Sequence, residues 1–95
     1  MKIVFLASCR RDAHWFNDYY SVVFPSGRAK ARENYERSKT FLRHNPYIGH
    51  VSDEPGLREF GIGRTPFAFI YRIKSDVIEV VRIWDQRSRK PDKWT

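Results

Sequence analysis

Residues 65–85, TPFAFIYRIKSDVIEVVRIWD, constrain the fold of this chain more than any other stretch. Aromatic and aliphatic side chains alternate over residues 67–73, and a β-branched run follows over residues 77–83. The polar residues 74–76 between the two runs are typical of a tight turn. Because both runs are apolar at most positions of both faces, the pattern predicts a β-hairpin in the middle of a sheet.

The rest of the chain adds two strands and a pair of helices. The predicted elements, in order, are a strand over 2–8, helices over about 9–24 and 27–45, a strand over 57–62, and the hairpin. Pro25 and Gly27 make the break between the helices so short that an antiparallel pair is expected. The sequence thus predicts an α+β fold in which an N-terminal strand and a helical hairpin precede a three-stranded antiparallel meander. One sheet face is covered by the helices and the other is available.

The first helix carries more apolar surface than one small sheet needs. One stripe at helical spacing consists of Ala13, Phe16, Tyr20 and Val23. A second stripe beside it consists of Trp15, Tyr19 and Val22. Two stripes indicate either a helix that is buried on two sides or an exposed patch for a partner, and both alternatives stay open. Ser8 is placed to cap this helix.

Length and composition indicate a small basic protein. We expect one domain over residues 1–95, with a basic tail over 86–95. Hydrophobic residues make up 41% of the chain, which is typical of a folded protein rather than a disordered one. The 18 Lys and Arg outnumber the 11 Asp and Glu, so the net charge is +7. This charge favours a polyanionic partner, nucleic acid or an acidic protein segment, over a surface that is basic only for solubility.

No segment is suited to export or to membrane insertion. The chain has no apolar run of the length of a membrane span, and its N-terminal MKIVFLAS is too short for a signal peptide. Cys9 is the only cysteine, which excludes a disulfide framework. We therefore expect a cytoplasmic protein without membrane contact.

Arginines are the residues best suited to bind a ligand. Those on or near the last three strands are Arg58, Arg64, Arg72, Arg82, Arg87 and Arg89. A guanidinium group presents a planar fork of donors that fits phosphate and stays charged at any working pH. Pairing with Glu59 or Glu79 on a solvated face is the favoured alternative for Arg58 and Arg72, whereas a functional role is favoured for Arg87.

The sequence lacks the patterns of a metal or cofactor site. His14, His44 and His50 have no metal-ligand spacing, and no glycine-rich phosphate loop is present, so we expect neither metal nor cofactor. Cys9 lies near a helix start, where a thiol pKa can be lowered, although a lone cysteine in this position is more often inert.

Several short motifs occur in one order along the chain. They are Asn45-Pro46, Pro55-Gly56, Gly56-Leu57-Arg58-Glu59, Thr65-Pro66-Phe67, Ile70-Tyr71-Arg72-Ile73, and a last strand over 77–84 followed by Arg87. With the order of the predicted elements, they make the chain resemble the RelE/ParE superfamily of toxins from type II toxin–antitoxin systems. The resemblance covers nearly the whole chain and is closer to the ParE-like branch.

The resemblance implies a growth-inhibiting toxin that is neutralised by a cognate antitoxin. In the family, a disordered antitoxin segment folds over the toxin, and operator DNA is contacted only through the antitoxin. An acidic amphipathic segment lying along Trp15, Tyr19 and Val22 would use both the positive charge and the surplus apolar stripe. One branch of the superfamily cleaves messenger RNA on the ribosome, and the other poisons DNA gyrase.

The residues of the ribonuclease branch are mostly missing. Glu59 and Gly61 stand where that branch usually has lysines, Ala68 stands where it has an arginine, and its terminal histidine or tyrosine is not evident. If the chain were such an enzyme, its catalytic residues would be Arg64, Asp85 and Arg87. Asp85 could then act as the base only with a pKa well above its usual value of about 4.

The sequence therefore favours a target-binding toxin directed at DNA gyrase. The predicted target-binding residues are Arg58, Arg64, Arg82, Arg87 and Arg89. The alternatives are a ribosome-dependent mRNA endonuclease and, from another class, a non-toxic nucleic-acid-binding module.

Overall fold

The computed structural model describes residues 1–94, which form a five-stranded sheet and two α-helices. The strands are β1 (Lys2–Phe5), β2 (His50–Val51), β3 (Arg58–Gly61), β4 (Phe67–Lys74) and β5 (Val77–Asp85), and the helices are α1 (Arg10–Asp18) and α2 (Arg28–His44). The strand order in the sheet is β1-β5-β4-β3-β2. β1 is parallel to β5, and the other neighbours are antiparallel. Within these residues, neither helix is long and apolar enough to cross a bilayer.

The α+β architecture predicted from the sequence is confirmed, and the hairpin is where the pattern places it. Ser75 and Asp76 connect β4 to β5 with φ angles of 51° and 60°, the left-handed geometry of a two-residue hairpin turn. β4 lies between β5 and β3 and is buried from Phe67 to Tyr71. The hairpin therefore forms the middle of the sheet.

The first strand differs from its prediction. β1 ends at Phe5 rather than at Ser8, and it lies at an edge of the sheet, where Phe5 is exposed. A short helix over Ala7–Cys9 takes up the rest of the predicted strand. Ser8 does not cap α1, because its hydroxyl donates to the Val81 carbonyl oxygen at 2.8 Å. The chain thus leaves β5 at about Val80, and α1 covers the remainder of that strand.

The main core lies between the helices and one face of the sheet. Phe67 of β4 packs edge-on against Phe16 of α1 at a ring-centre distance of 5.0 Å, and Leu42 of α2 is fully buried in the same cluster. The buried Tyr71 hydroxyl accepts a hydrogen bond from the Gly49 backbone N–H at 3.0 Å and donates one to the Pro46 carbonyl oxygen at 2.7 Å. This hydroxyl fixes the loop after α2 to the sheet.

The other sheet face was predicted to be available, but the C-terminal segment covers part of it. Trp94 is only 7% exposed and packs edge-on against Trp84 at a ring-centre distance of 5.1 Å. A second apolar cluster forms around it from Leu57, Ile70 and Val81. The tail therefore belongs to the packed structure. Thr95, the last residue of the predicted tail, lies outside the described residues.

Candidate functional site

Arg87 follows the end of β5 and is held in place by two groups. Its Nε donates to Asp85 Oδ1 at 3.0 Å, and its Nη2 donates to Asp85 Oδ2 at 2.8 Å. Its Nη1 donates to the Tyr19 hydroxyl at 3.3 Å, and the guanidinium lies over the Tyr19 ring at 5.1 Å. Because Tyr19 is at the end of α1, this contact joins the helix to the end of the sheet.

The Arg87 contacts decide the protonation of Asp85. Hydrogen bonds from the Arg87 guanidinium, and then from its backbone N–H, stabilise the carboxylate and lower the pKa of Asp85 despite its partial burial. The same pairing raises the pKa of Arg87. Asp85 is therefore a weaker base than an ordinary aspartate, whereas ribonuclease chemistry would require its pKa to rise.

Arg64 lies at the same end of the sheet as Arg87. It occupies the turn between β3 and β4 with a φ of 57°, a left-handed conformation that is uncommon for a residue with a side chain. The Gln86 backbone N–H donates to the Pro66 carbonyl oxygen at 2.7 Å, which ties this turn region to the end of β5. Arg64 and Arg89 are exposed and have no hydrogen bond or ion pair with residues 1–94.

Arg82 is engaged inside the fold. Its Nε and Nη2 donate to the two carboxylate oxygens of Asp12 at 2.6 and 3.0 Å. Asp12 also accepts the Ile83 backbone N–H at 3.0 Å, on the side of β5 where β1 has ended. This pair connects α1 to β5, and the hydrogen bonds that Arg82 donates to Asp12 raise the pKa of Arg82. Unlike Arg64, Arg82 has its guanidinium fork occupied.

Arg58 lies away from the Arg64 and Arg87 end, at the start of β3. Its Nη1 donates to the Gly49 carbonyl oxygen at 2.8 Å and to the Tyr47 carbonyl oxygen at 3.2 Å. The guanidinium also lies over the Tyr47 ring at 5.3 Å. The expected pair between Arg58 and Glu59 is wrong, because adjacent residues of a strand point to opposite faces. Arg72 does pair with Glu79, at 2.7 Å.

The two stripes of the first helix separate into a buried and an exposed part. Tyr20 is buried, and Phe16 and Tyr19 are half-buried, whereas Trp15 is 58% and Val22 78% exposed. Val23, predicted to be in the core stripe, is also exposed, and so is Ala13. From Tyr19 the helix widens into a π-helical turn over Tyr19–Val23, which rotates the side chains that follow. The second stripe therefore forms an exposed apolar patch that consists of Trp15 and Val22.

This combination of fold, cationic sheet end and exposed helical patch can be compared with known proteins. Residues 3–89 match a family model described as the ParE toxin of the type II toxin–antitoxin system parDE. The chain belongs to the ParE toxin family. The superfamily resemblance predicted from the sequence is thereby confirmed.

A solved structure supports the fold of this ParE-family protein. The "Chromosomal ParDE TA system from P. aeruginosa" aligns with a TM-score of 0.69 and 24% sequence identity, covering 87% of this chain and 92% of that chain. At this identity the likeness shows the fold alone. Among curated proteins, none matches the chain.

Sequence reasoning missed both buried carboxylates in residues 1–94 of this ParE-family chain, Asp12, described above, and Glu59. Glu59 is 3% exposed, and its Oε2 lies 2.7 Å from His50 Nε2 and 2.8 Å from Lys90 Nζ. Burial alone would raise the pKa of Glu59, but the hydrogen bonds from Lys90 and His50 outweigh it and lower that pKa. Because Leu57 lies two residues earlier in the strand predicted over 57–62, a face shared with an apolar residue was the signal that Glu59 is buried.

Cys9 is a buried cysteine in the ParE-family fold. Burial, and then the nearby Asp12 carboxylate, raise the pKa of the Cys9 thiol, so the suggestion of a lowered pKa is wrong. The thiol donates to the Leu6 carbonyl oxygen at 3.1 Å. Among residues 1–94, no group of three or more His, Cys, Asp or Glu side chains could hold a metal ion.

Proposed function

We propose that this chain is the growth-inhibiting toxin of a type II toxin–antitoxin pair, that it acts in the cytoplasm by binding DNA gyrase, and that a cognate antitoxin neutralises it. Membership of the ParE toxin family is the starting point. The observation that carries the choice of gyrase over messenger RNA is the pairing of Asp85 with Arg87. In this proposal operator DNA is contacted only through the antitoxin.

Cleavage of RNA by attack of a 2′-hydroxyl needs a base close to the hydroxyl and positive charge around the phosphate. Asp85 is the one residue predicted from the sequence to act as the base, and Arg87 lowers the pKa of Asp85. The pair also offsets the Arg87 charge that an RNA phosphate would use. The arrangement therefore supports a binding surface more than a catalytic one.

The target-binding surface would lie at the sheet end that carries Arg64 and Arg87, with Arg89 in the tail beyond it. Arg64 and Arg89 are exposed, and their side chains have no partner within residues 1–94. Their guanidinium groups are therefore free to bind an acidic or phosphate-bearing target. Arg82 and Arg58, also predicted to bind the target, are less available to it, since Asp12 and two backbone carbonyl oxygens already occupy their donors and Arg58 lies away from this end of the sheet.

The antitoxin would cover the apolar patch of Trp15 and Val22, with Tyr19 at its inner edge. An exposed tryptophan and valine beside a chain of net charge +7 suit an acidic amphipathic segment that folds as it binds. Since Tyr19 holds Arg87, an antitoxin on this patch would also reach the cationic sheet end.

The test uses the purified toxin in two assays, supercoiling by gyrase and cleavage of ribosome-bound message. We expect inhibition of supercoiling, no cleavage of message, and restoration of supercoiling when the antitoxin encoded beside the toxin is added. Arg64→Gln should weaken inhibition, whereas Lys74→Gln, at the opposite end of β4, should leave it unchanged. Cleavage of message with unaffected supercoiling would refute the gyrase proposal.

A second candidate, the ribosome-dependent endonuclease, is favoured by one observation: Arg64 and Arg87 lie at one end of the sheet. In that case Asp85→Asn should abolish message cleavage, because the substitution removes the base. For a gyrase-binding toxin the same substitution frees the Arg87 guanidinium and should not abolish inhibition. The Asp85→Asn variant therefore separates the two functions.

A further inference from the structure

A cleft lies where the chain passes from β1 into α1, next to the Trp15 end of the proposed antitoxin surface. Its volume is about 580 Å³. Its lining residues are Ala7, Ser8, Arg10, Arg11, His14 and Arg82. Four of these six residues carry basic side chains, and all except Arg82 are exposed.

The charge in this cleft is not offset by the fold. Asp12 neutralises Arg82, but Arg10 and Arg11 form no hydrogen bond or ion pair through their side chains with residues 1–94. On a helix the acid that could offset an arginine lies three or four residues further on, and after Arg10 and Arg11 those positions are occupied by Ala13, His14 and Trp15. The cleft therefore keeps a charge of at least +2.

The cations of α2 show what a solvated basic face looks like in the same molecule. Glu33 binds both Arg37 at 2.7 Å and Lys30 at 3.9 Å. Glu36 binds Lys39 at 3.1 Å. Three cations of the second helix thus pair with acids of the same helix, whereas Arg10 and Arg11 at the start of the first helix have no acid partner and lie around a concave site.

An exposed aromatic ring adjoins the cleft. Arg11 also lines a neighbouring hollow of about 150 Å³ together with Trp15 and Trp84. Trp15 is 58% exposed, so its ring is accessible from solvent. Guanidinium groups suit phosphate oxygens, and an accessible indole provides a stacking surface for a nucleobase.

We propose that this cleft binds single-stranded nucleic acid, with Arg10 and Arg11 on backbone phosphates and Trp15 stacked on a base. A cleft of about 580 Å³ that shares Arg11 and Arg82 with an aromatic hollow has room for more than one phosphate group. Polyglutamate could pair with the arginines, but its side chains carry no flat ring to stack on Trp15. The proposal does not depend on gyrase being the target.

The test is fluorescence anisotropy of a labelled twelve-nucleotide thymidine strand with the full chain at several salt concentrations. Each phosphate contact on a single strand contributes about −0.7 to the slope of log affinity against log salt. We expect Arg10→Gln and Arg11→Gln each to reduce that slope by about 0.7 and to weaken binding several-fold at low salt. Trp15→Ala should weaken binding at least about fivefold while leaving the slope unchanged.

Lys74→Gln is the matched control, because Lys74 is an exposed cation without a partner in residues 1–94 at the far end of β4. If this control weakens binding as much as Arg10→Gln, the effect is one of general surface charge and the proposal fails. The proposal also fails if a polyglutamate of equal charge binds as tightly and responds to the same substitutions, or if a duplex binds as well and is insensitive to Trp15→Ala. Circular dichroism of each variant verifies that the fold is kept.

Discussion

Replacing Asp12 by alanine removes the carboxylate that joins α1 to β5. Asp12 accepts two hydrogen bonds from Arg82, at 2.6 and 3.0 Å, and one from the Ile83 backbone N–H at 3.0 Å. The Asp12 side chain is 10% exposed and that of Arg82 is 26% exposed. The substitution therefore leaves a mostly buried guanidinium and a buried backbone donor without their acceptor.

The size of the effect follows from this burial. Removing one partner of a fully buried ion pair costs about 3–5 kcal/mol of unfolding free energy. Water can reach part of Arg82, so the lower end of this range applies. We expect Asp12→Ala to lower the free energy of unfolding by about 3 kcal/mol. For a domain of this size, 1 kcal/mol shifts the melting temperature by about 4–8 °C, so Asp12→Ala should lower it by about 12–24 °C.

Thermal unfolding followed by circular dichroism measures this shift. Asp18→Asn is the control, because Asp18 is an exposed acid on the same helix and its loss should change the free energy by less than about 0.5 kcal/mol. In a double-mutant cycle, Asp12→Ala with Arg82→Met should destabilise less than the sum of the single variants, since no charge is left buried. An Asp12→Ala melting temperature equal to that of Asp18→Asn would refute the role assigned to this pair.

Two further predictions concern the loop and the tail that the sheet holds. A Cβ on Gly49 would lie 2.6 Å from the Tyr71 hydroxyl and 2.8 Å from a backbone oxygen. Gly49→Ala should therefore lower the free energy of unfolding, measured by chemical denaturation, by about 2 kcal/mol. Gly61→Ala should be close to neutral, because the atom nearest to its Cβ would be 4.0 Å away. Because Lys90 and His50 hold the pKa of Glu59 below its unfolded value, Glu59 stabilises the fold above pH of about 4.3 and loses this contribution as the pH falls through the folded pKa. The melting temperature of the native chain should therefore decline more steeply below that pH than that of Glu59→Gln, and parallel declines would contradict the prediction.

The hairpin could be predicted because its signals are local. Alternation within β4 and the polar turn at Ser75 and Asp76 depend only on neighbouring residues, and the burial of Phe67–Tyr71 follows from them. The edge position of β1 could not be predicted, because an alternating apolar segment has the same pattern beside one partner strand as between two. The exposure of Val23 was missed for a similar reason, since the π-helical turn breaks the spacing from which the stripe was counted.

The candidate site was predictable only in part. Asp85 and Arg87 are two residues apart, so their proximity follows from the sequence, and the family resemblance points to Arg87. Other residues that bind these arginines are distant in the sequence. Tyr19 lies 68 residues from Arg87, and Asp12 lies 70 residues from Arg82. No local pattern indicates such contacts. The sequence therefore could not show which arginines keep a guanidinium group without a partner in the fold.

The pairing of charges narrows the region in which a chain of net charge +7 can attract a polyanion. The α2 cations that bind Glu33 and Glu36, together with Arg72 and Arg82, are offset by carboxylates of the fold. Besides Arg28, Arg32 and Arg43 of α2 and Arg58 of β3, arginines without a carboxylate partner in residues 1–94 remain in two places, at the start of α1 and at the Arg64 end of the sheet. α1 connects these two places, because Asp12 near its start binds β5 and Tyr19 at its end binds Arg87. Trp15 lies between the two contacts, so an antitoxin segment that covers Trp15 would block the route along α1 from one cationic region to the other.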